Sequence, residues 1–269
     1  TSIVMISLLR KLIGDKYDRW FFAGIVVVAA NAGGAWSPIG DVTTTMLWIG
    51  GQLTTATIIS TLFIPSLVAM VVPLLVLTFT MKGNVARPIT KEGLEHYINP
   101  TTAFERNLIF FLGLAGLLFV PIFKTVTHLP PFMGMMLSLG VMWAVTEVIH
   151  SSKNREDKSH LSVIGVLRKV DTASVLFFLG ILLAVAGLQS AGHLAVMAGS
   201  LNDAFDGNIY AINIVIGLLS SIVDNVPLVA GSMGMYEVAA AGAFAQDGVF
   251  WQFLAFCAGT GGSALIIGS

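Results

Sequence analysis

Two aspartates stand where a membrane would ordinarily exclude them. Asp41 lies in NAGGAWSPIGDVTTTMLW, residues 31–48, and Asp224 in SSIVDNVPLVAGSMGMY, residues 220–236; neither stretch contains a lysine or arginine. A carboxylate at the centre of a bilayer costs roughly 2.5–3.5 kcal/mol on insertion scales, so such an acid needs a partner or a purpose. Oxygen and amide side chains gather around the two acids: Asn31, Ser37, Thr43 and Thr44 near the first, Ser220 and Asn225 near the second, with Thr260 and Ser263 in a third glycine-rich stretch. Carboxylates set among hydroxyl, amide and backbone oxygens suit hard cations. Desolvation disfavours the ionised form of an acid, so a carboxyl in that setting can exchange a proton for a metal cation. A structural reading competes. Asp41 directly precedes VTTTMLW and is placed to cap a helix N-terminus, and a single Ser or Thr in a membrane helix commonly bonds its own backbone.

The elements that must hold these residues follow from composition. Of the 269 residues, 55% are hydrophobic and 11% charged, against roughly a quarter charged in soluble domains. The fold class expected is an all-α integral membrane protein whose main partner is the lipid bilayer. Stretches 56–80, 107–127, 132–149 and 172–190 are long and apolar enough to cross a hydrocarbon core, which takes about 20 helical residues. Thirteen of the 14 basic residues fall in 10–19, 81–106 and 150–171, which the positive-inside rule places in the cytoplasm. Segments 50–55, 191–209 and 235–249 carry none and are read as outer segments. A net charge of −1 without a basic patch gives no sign of nucleic-acid binding. One cysteine, Cys257, excludes an internal disulfide and reads as a small core residue. The five histidines, at 96, 128, 150, 160 and 193, lack ligand spacing. Glu147 and Lys124 are expected to reach for the interface, with Glu147 beside His150 as a candidate cytoplasmic proton entry. Trp20, Trp48 and Trp251 fit interfacial belts.

Two regions resist simple spans. Residues 20–50 read as two half-helices joined at Gly33–Gly40, because proline removes a donor and glycine loosens the helix. Residues 210–236 carry Asp224, Asn225 and Pro227 at the centre of an apolar run, which fits a re-entrant hairpin tolerated only where protein or water surrounds it. GGAWSPIG at 33–40 and GGSALIIG at 261–268 share their ends, 228 positions apart. Each follows a short apolar half-helix, 21–30 and 250–258, and the positive-charge pattern makes the copies run in opposite senses. Paired interrupted helices in inverted halves point to a secondary-transporter binding site. The division expected is a remnant of the first repeat over 1–80, a cytoplasmic linker over 81–106, and a second repeat over 107–269. The second repeat holds spans 107–127, 132–149 and 172–190, hairpin 210–236 and broken helix 250–269. Thr1 and the apolar ends suggest an internal fragment.

AANAGGAWSPIGDVTTTMLWIGGQ and SSIVDNVPLVAGSMGMY resemble the NhaD-type sodium/proton antiporters of the ion transporter superfamily, and the resemblance covers essentially the whole chain. It implies a bacterial inner-membrane protein, often dimeric in its superfamily, with two inverted repeats whose hairpins and broken helices meet at the ion site. It assigns Asn31, Asp41, Thr43 and Thr44 to the first broken helix, Ser220, Asp224 and Asn225 to the second hairpin tip, and Thr260 and Ser263 to the second broken helix. It also implies an Asp-Asn pair just upstream of Thr1. The activity expected is exchange of Na+ or Li+ for H+ by alternating access, with no cofactor and a Na+ transport site at Asp41 and Asp224. A dicarboxylate or arsenite carrier on the same scaffold is the alternative. More remote is an intramembrane aspartyl protease, whose Gly-x-Gly-Asp pattern meets Pro38 in place of its first glycine.

Overall fold

The computed structural model describes residue 5 and residues 8–10, 12–81, 101–151, 153–154, 161–168 and 170–264. These residues form helices and no strand, with one isolated bridge between Ala239 and Ala245. Four helices are long and apolar enough to cross a membrane: Thr55–Thr80, Ala103–Thr127, Pro131–Ile149 and Thr172–Ser190. Each agrees with its sequence-derived span. The chain divides into two compact units, one of residues 1–91 with 180–269, the other of residues 92–179.

The second unit is built on α4 (Ala103–Thr127) and α5 (Pro131–Ile149), packed against each other and followed by the short α6 (Val163–Leu167). Thr102 and Glu105 form a reciprocal capping box at the start of α4, which satisfies two otherwise orphaned amides. His128 ends α4 in the left-handed region, and Pro130–Pro131 starts the return. Small residues make the seam. A Cβ on Gly134 would stand 2.8 Å from the Phe123 ring, and Ser138 donates to Gly116 O at 3.1 Å. Close approach of this kind, with a hydrogen bond across it, is how helices associate where lipid is as apolar as the side chains.

His150 follows α5 and is buried. Desolvation, then the nearby Lys153 ammonium, hold its imidazole below the usual 6.5, while Glu105 and Glu147 pull the other way. The folded state therefore binds fewer protons here than the unfolded one, and this unit loses stability as pH falls through about 6.5. His150→Gln is expected to flatten that part of the stability–pH curve, read as thermal midpoint against pH. An unaltered curve would remove His150 from the account.

The first unit contains α1 (Lys16–Ala35), α2 (Val42–Ile49), α3 (Thr55–Thr80), α8 (His193–Ala204), α9 (Ile209–Leu219), α10 (Asn225–Met235), α11 (Val249–Gly261) and a 3-10 turn, Gly262–Ala264. The helix Thr172–Ser190, α7, runs across the boundary between units. Helix α1 opens on Asp15, whose carboxylate accepts the Tyr17 and Asp18 amides at 2.7 and 2.9 Å. It continues through Gly33 and Gly34, so the break lies at 36–41 rather than beginning at Gly33. Small residues stay helical when packed, whereas Pro38 lacks an amide and forces Ser37 out of the helical region. The second half-helix likewise extends beyond 250–258. The last five residues, including the second half of the second glycine motif, lie outside the described residues, as do most of 1–13 and of the 81–106 segment. The outer segment 191–209 contains α8, a 12-residue helix too short to register as a span.

Segments 50–55 and 235–249 meet. The Asp247 carboxylate accepts the Thr54 amide at 2.6 Å and the Thr54 hydroxyl at 2.8 Å, and the Asp247 amide donates to Gln52 O at 2.8 Å. This clamp supports the start of α3, which carries Pro65 and Pro73 internally. Asp247→Ala is expected to lower the thermal midpoint of the complete protein in detergent by an amount worth about 1–2 kcal/mol. An unchanged midpoint would mean the clamp contributes nothing. Beside it Tyr236, Phe244, Phe250 and Trp251 form an aromatic cluster, with Tyr236 and Phe250 centroids 4.7 Å apart. Trp251 and Trp48 are buried, which corrects their expected place in interfacial belts; of the three, Trp20 is exposed. The Trp251 indole donates to Phe244 O at 2.9 Å, so its polar edge is satisfied by protein and needs no headgroup.

Candidate ion site

Contacts along α11 fix the directions of its neighbours. Its start is held at the Asp247 clamp, beside the residues that follow α2. Farther along, a Cβ on Gly259 would stand 3.0 Å from Asp41 Oδ2 and 3.5 Å from Ala35 Cβ. Farther still, Asn31 Nδ2 donates to Ser263 Oγ at 2.8 Å. Helix α11 therefore runs antiparallel to α2 and then to α1. Helix α9 runs alongside it in the same sense: Asn213 donates to Phe250 O at 3.2 Å, and Ser220 to Ala258 O at 3.0 Å. Glycine permits this fit, since a Cβ on Gly261 would stand 2.1 Å from Gly217 O. Helix α10 then returns. It starts at Asp224, reaches Gly50 with Met233, and delivers Tyr236 to the ring of Phe250. Thus α9 and α10 form a hairpin with both outer ends at the clamp and its tip at residues 220–224.

Five helix ends converge on that level. The C-terminal ends of α1, α9 and α11 present carbonyls, which favour cations, and the N-terminal ends of α2 and α10 present amides. Each amide end has an aspartate at its N-cap position, Asp41 and Asp224. The break before α2 is shaped by Gly34 and Gly40: a Cβ on Gly40 would stand 2.8 Å from Gly34 O. Thr44, buried, ties the two half-helices by donating to Ala35 O at 3.2 Å.

The two aspartates behave differently. Asp41 is half-buried and makes no side-chain cap; its Oδ2 accepts the hydroxyl of the buried Thr43. Among the described residues no ion pair involves it. Asp224 accepts the Val226 amide at 3.1 Å and so performs the capping role. It is exposed, as are Ile222 and Val223 beside it, whereas Ser220 and Ser221 at the same tip are buried. The expectation of two buried acids is corrected for Asp224. The two carboxylates are nevertheless within electrostatic reach, Asp224 repelling charge on Asp41.

The remaining expected residues divide. Asn31 and Ser263 meet directly, and Ser220 joins the hairpin tip to α11. Asn225 opens α10, half-buried at the tip. Thr260 bonds its own helix at Phe256 O, 2.6 Å, and Thr44 braces the break, so neither hydroxyl proton points to a ligand. Gly259 and the buried Asn213 went unnoticed in the sequence. A glycine inside an apolar half-helix carries no chemical signal, and Asn213 sits in a hairpin arm read as wholly apolar. Among the described residues no group of three or more His, Cys, Asp or Glu could hold a metal ion as a fixed centre.

Comparison with known proteins finds transporters. A family model described as citrate transporter, CitMHS, matches residues 1–261. Sodium/proton antiporter 1 of Arabidopsis thaliana is 49% identical over 269 residues, all of this chain and 45% of its own length. Sodium/proton antiporter 2 of the same plant is 47% identical over all of this chain and 62% of its own length. The Na(+)/H(+) antiporter NhaD of Vibrio cholerae is 31% identical over all of this chain and 57% of its own length. The chain spans about half the length of the curated relatives it matches. No solved structure matches it.

Proposed function

The chain belongs to the citrate transporter family CitMHS, and on that premise we propose that it holds the ion-handling part of a secondary transporter that exchanges Na+ or Li+ for H+ by alternating access. Family and relatives make it part of an integral membrane transporter rather than an enzyme, so the protease reading falls. The observation that carries the cation reading is Asp41: an acid without an ion pair among the described residues, half-buried where helices break and bonded to Thr43. A proton or a cation relieves the repulsion between two carboxylates, and either can do so. Competition between the two at Asp41 and Asp224 is the coupling step.

Geometry supports an inverted repeat. With the glycine motifs 228 positions apart, Asn31 is equivalent to Gly259 and Ala35 to Ser263. Asn31 meets Ser263, and Gly259 meets Ala35. Reciprocal contacts of this kind are what a two-fold relation generates. The hairpin supports a re-entrant reading, since its two 11-residue helices are each about 16 Å long, half of the roughly 30 Å of hydrocarbon.

The anion alternative draws on the family's description as citrate transporter. Two acids at the site oppose an anionic cargo. The test uses the complete protein in vesicles holding a pH gradient. Added NaCl or LiCl should dissipate the gradient, and choline chloride should not; uptake of citrate independent of Na+ and H+ gradients would replace this reading with the anion one.

A further inference from the structure

We propose that the cleft between α4, α5 and α6 is a binding site for an anionic phospholipid, with one acyl chain inside the cleft and the phosphate at Arg106. The inference stands apart from the cation-exchange reading and needs only that α4 and α5 cross the bilayer.

The start of α4, the end of α5 and the short α6 enclose a half-open cavity of about 550 Å³, within the roughly 300–1,000 Å³ usual for ligand sites. Its walls are apolar, formed by Ile109, Phe110, Leu139, Met142, Val163 and Leu167. Phe110 and Leu167 on its rim are exposed, so the cavity opens sideways from helices that are apolar enough to stand in lipid. From Leu139 to His150, α5 rises about 16 Å, half of the roughly 30 Å of hydrocarbon. The cavity therefore has the depth of one leaflet, which is the reach of an acyl chain.

Charged and ring-nitrogen groups line one end alone: Glu105, Arg106 and His150, at the end the positive-inside rule places in the cytoplasm. Glu105 is the one carboxylate of the lining, and Lys153 already engages it. Arg106 donates one Nη1 bond to Thr101 O at 3.0 Å and has no ion pair among the described residues. Its remaining donors and its charge are open to an anion. His150 is buried, and its Nδ1 has no hydrogen-bond partner among the described residues. A buried ring nitrogen left unpaired costs free energy, and a headgroup oxygen or hydroxyl entering the cavity satisfies it. A choline or ethanolamine head would bring a cation to a carboxylate that is already paired, whereas an anionic head supplies the charge Arg106 lacks. Basic pockets between membrane helices on the cytoplasmic side hold anionic headgroups in this way.

The experiment purifies the complete protein in mild detergent, offers phosphatidylglycerol or phosphatidylcholine, and counts the lipid retained by native mass spectrometry. The wild-type protein should hold a phosphatidylglycerol and prefer it to phosphatidylcholine by about fivefold, the effect of one basic side chain at a membrane surface. Ile109→Trp fills the cavity and should lose the retained lipid. Phe111→Trp, exposed on the same helix and outside the cavity, should keep it. Arg106→Gln should hold the two lipids equally. If Ile109→Trp fails to insert or fold, the headgroup preference of Arg106→Gln decides alone. A wild-type protein that retains no phospholipid or shows no preference, retention undiminished in Ile109→Trp, or an unmoved preference in Arg106→Gln would overturn the proposal.

Discussion

Asp41→Asn in the complete protein is expected to reduce Na+-dependent proton flux to background while leaving the protein folded. Asparagine matches aspartate in size and retains an oxygen that can accept the Thr43 hydroxyl. The replacement therefore removes the charge and the titrating proton and little else. A carboxylate whose role was to hold the helix break together would tolerate it, because the break is also tied by Thr44 to Ala35 and shaped by Gly34 and Gly40. A carboxylate over which cation and proton compete would not. The same change at Asp224 should also abolish flux, and there the cap on α10 survives because asparagine caps as well as aspartate. Gradient-dissipation measurements on both variants check this, and full activity in both would defeat the mechanism.

Gly261→Ala is expected to have the largest effect on stability. Its Cβ would stand 2.1 Å from Gly217 O and 3.1 Å from Gly217 Cα, both backbone atoms. A side chain in that position could turn away; a backbone cannot, so α9 and α11 must separate. That separation breaks the contacts of Ser220 and Asn213 with α11 at the same time. Overpacking commonly costs 1–3 kcal/mol, and the backbone contact puts this case at about 3 kcal/mol or more. The thermal midpoint of the complete protein in detergent should fall accordingly, with cation flux lost because the hairpin tip shifts. An unchanged midpoint would show that the two helices are not packed as described.

The spans were legible because apolar runs of that length have one use, and α3, α4, α5 and α7 lie where composition places them. The broken helix at Asp41 was legible from Pro38 among glycines, although its boundary was set by Pro38 alone and not by Gly33–Gly34. Helix α8 was hidden because its 12 residues are too few to span a membrane and the segment, free of Lys and Arg, read as an outer connection. The meeting of Asn31 with Ser263 and of Ser220 with α11 was legible only as a gathering of polar residues around helix breaks. The roles of the two acids were not legible. Sequence context made Asp41 the likelier-looking cap, because it precedes a run of threonines, yet the cap is Asp224, and Asp41 turns to Thr43. Which oxygen takes which amide depends on backbone angles at the break, and the letters do not carry those. Gly259 was illegible for the same reason: a missing side chain acquires meaning only from what stands opposite, here the Asp41 carboxylate.

Proton release on cation binding is the most direct measurement of the central claim. Calorimetric titration of Na+ into the complete protein, in buffers of differing ionisation enthalpy, counts the protons displaced per ion. A site where Na+ and H+ compete for Asp41 should release protons on binding, and Asp41→Asn should abolish that release. Na+ binding with no proton release in the wild-type protein, or unchanged release in Asp41→Asn, would contradict the account.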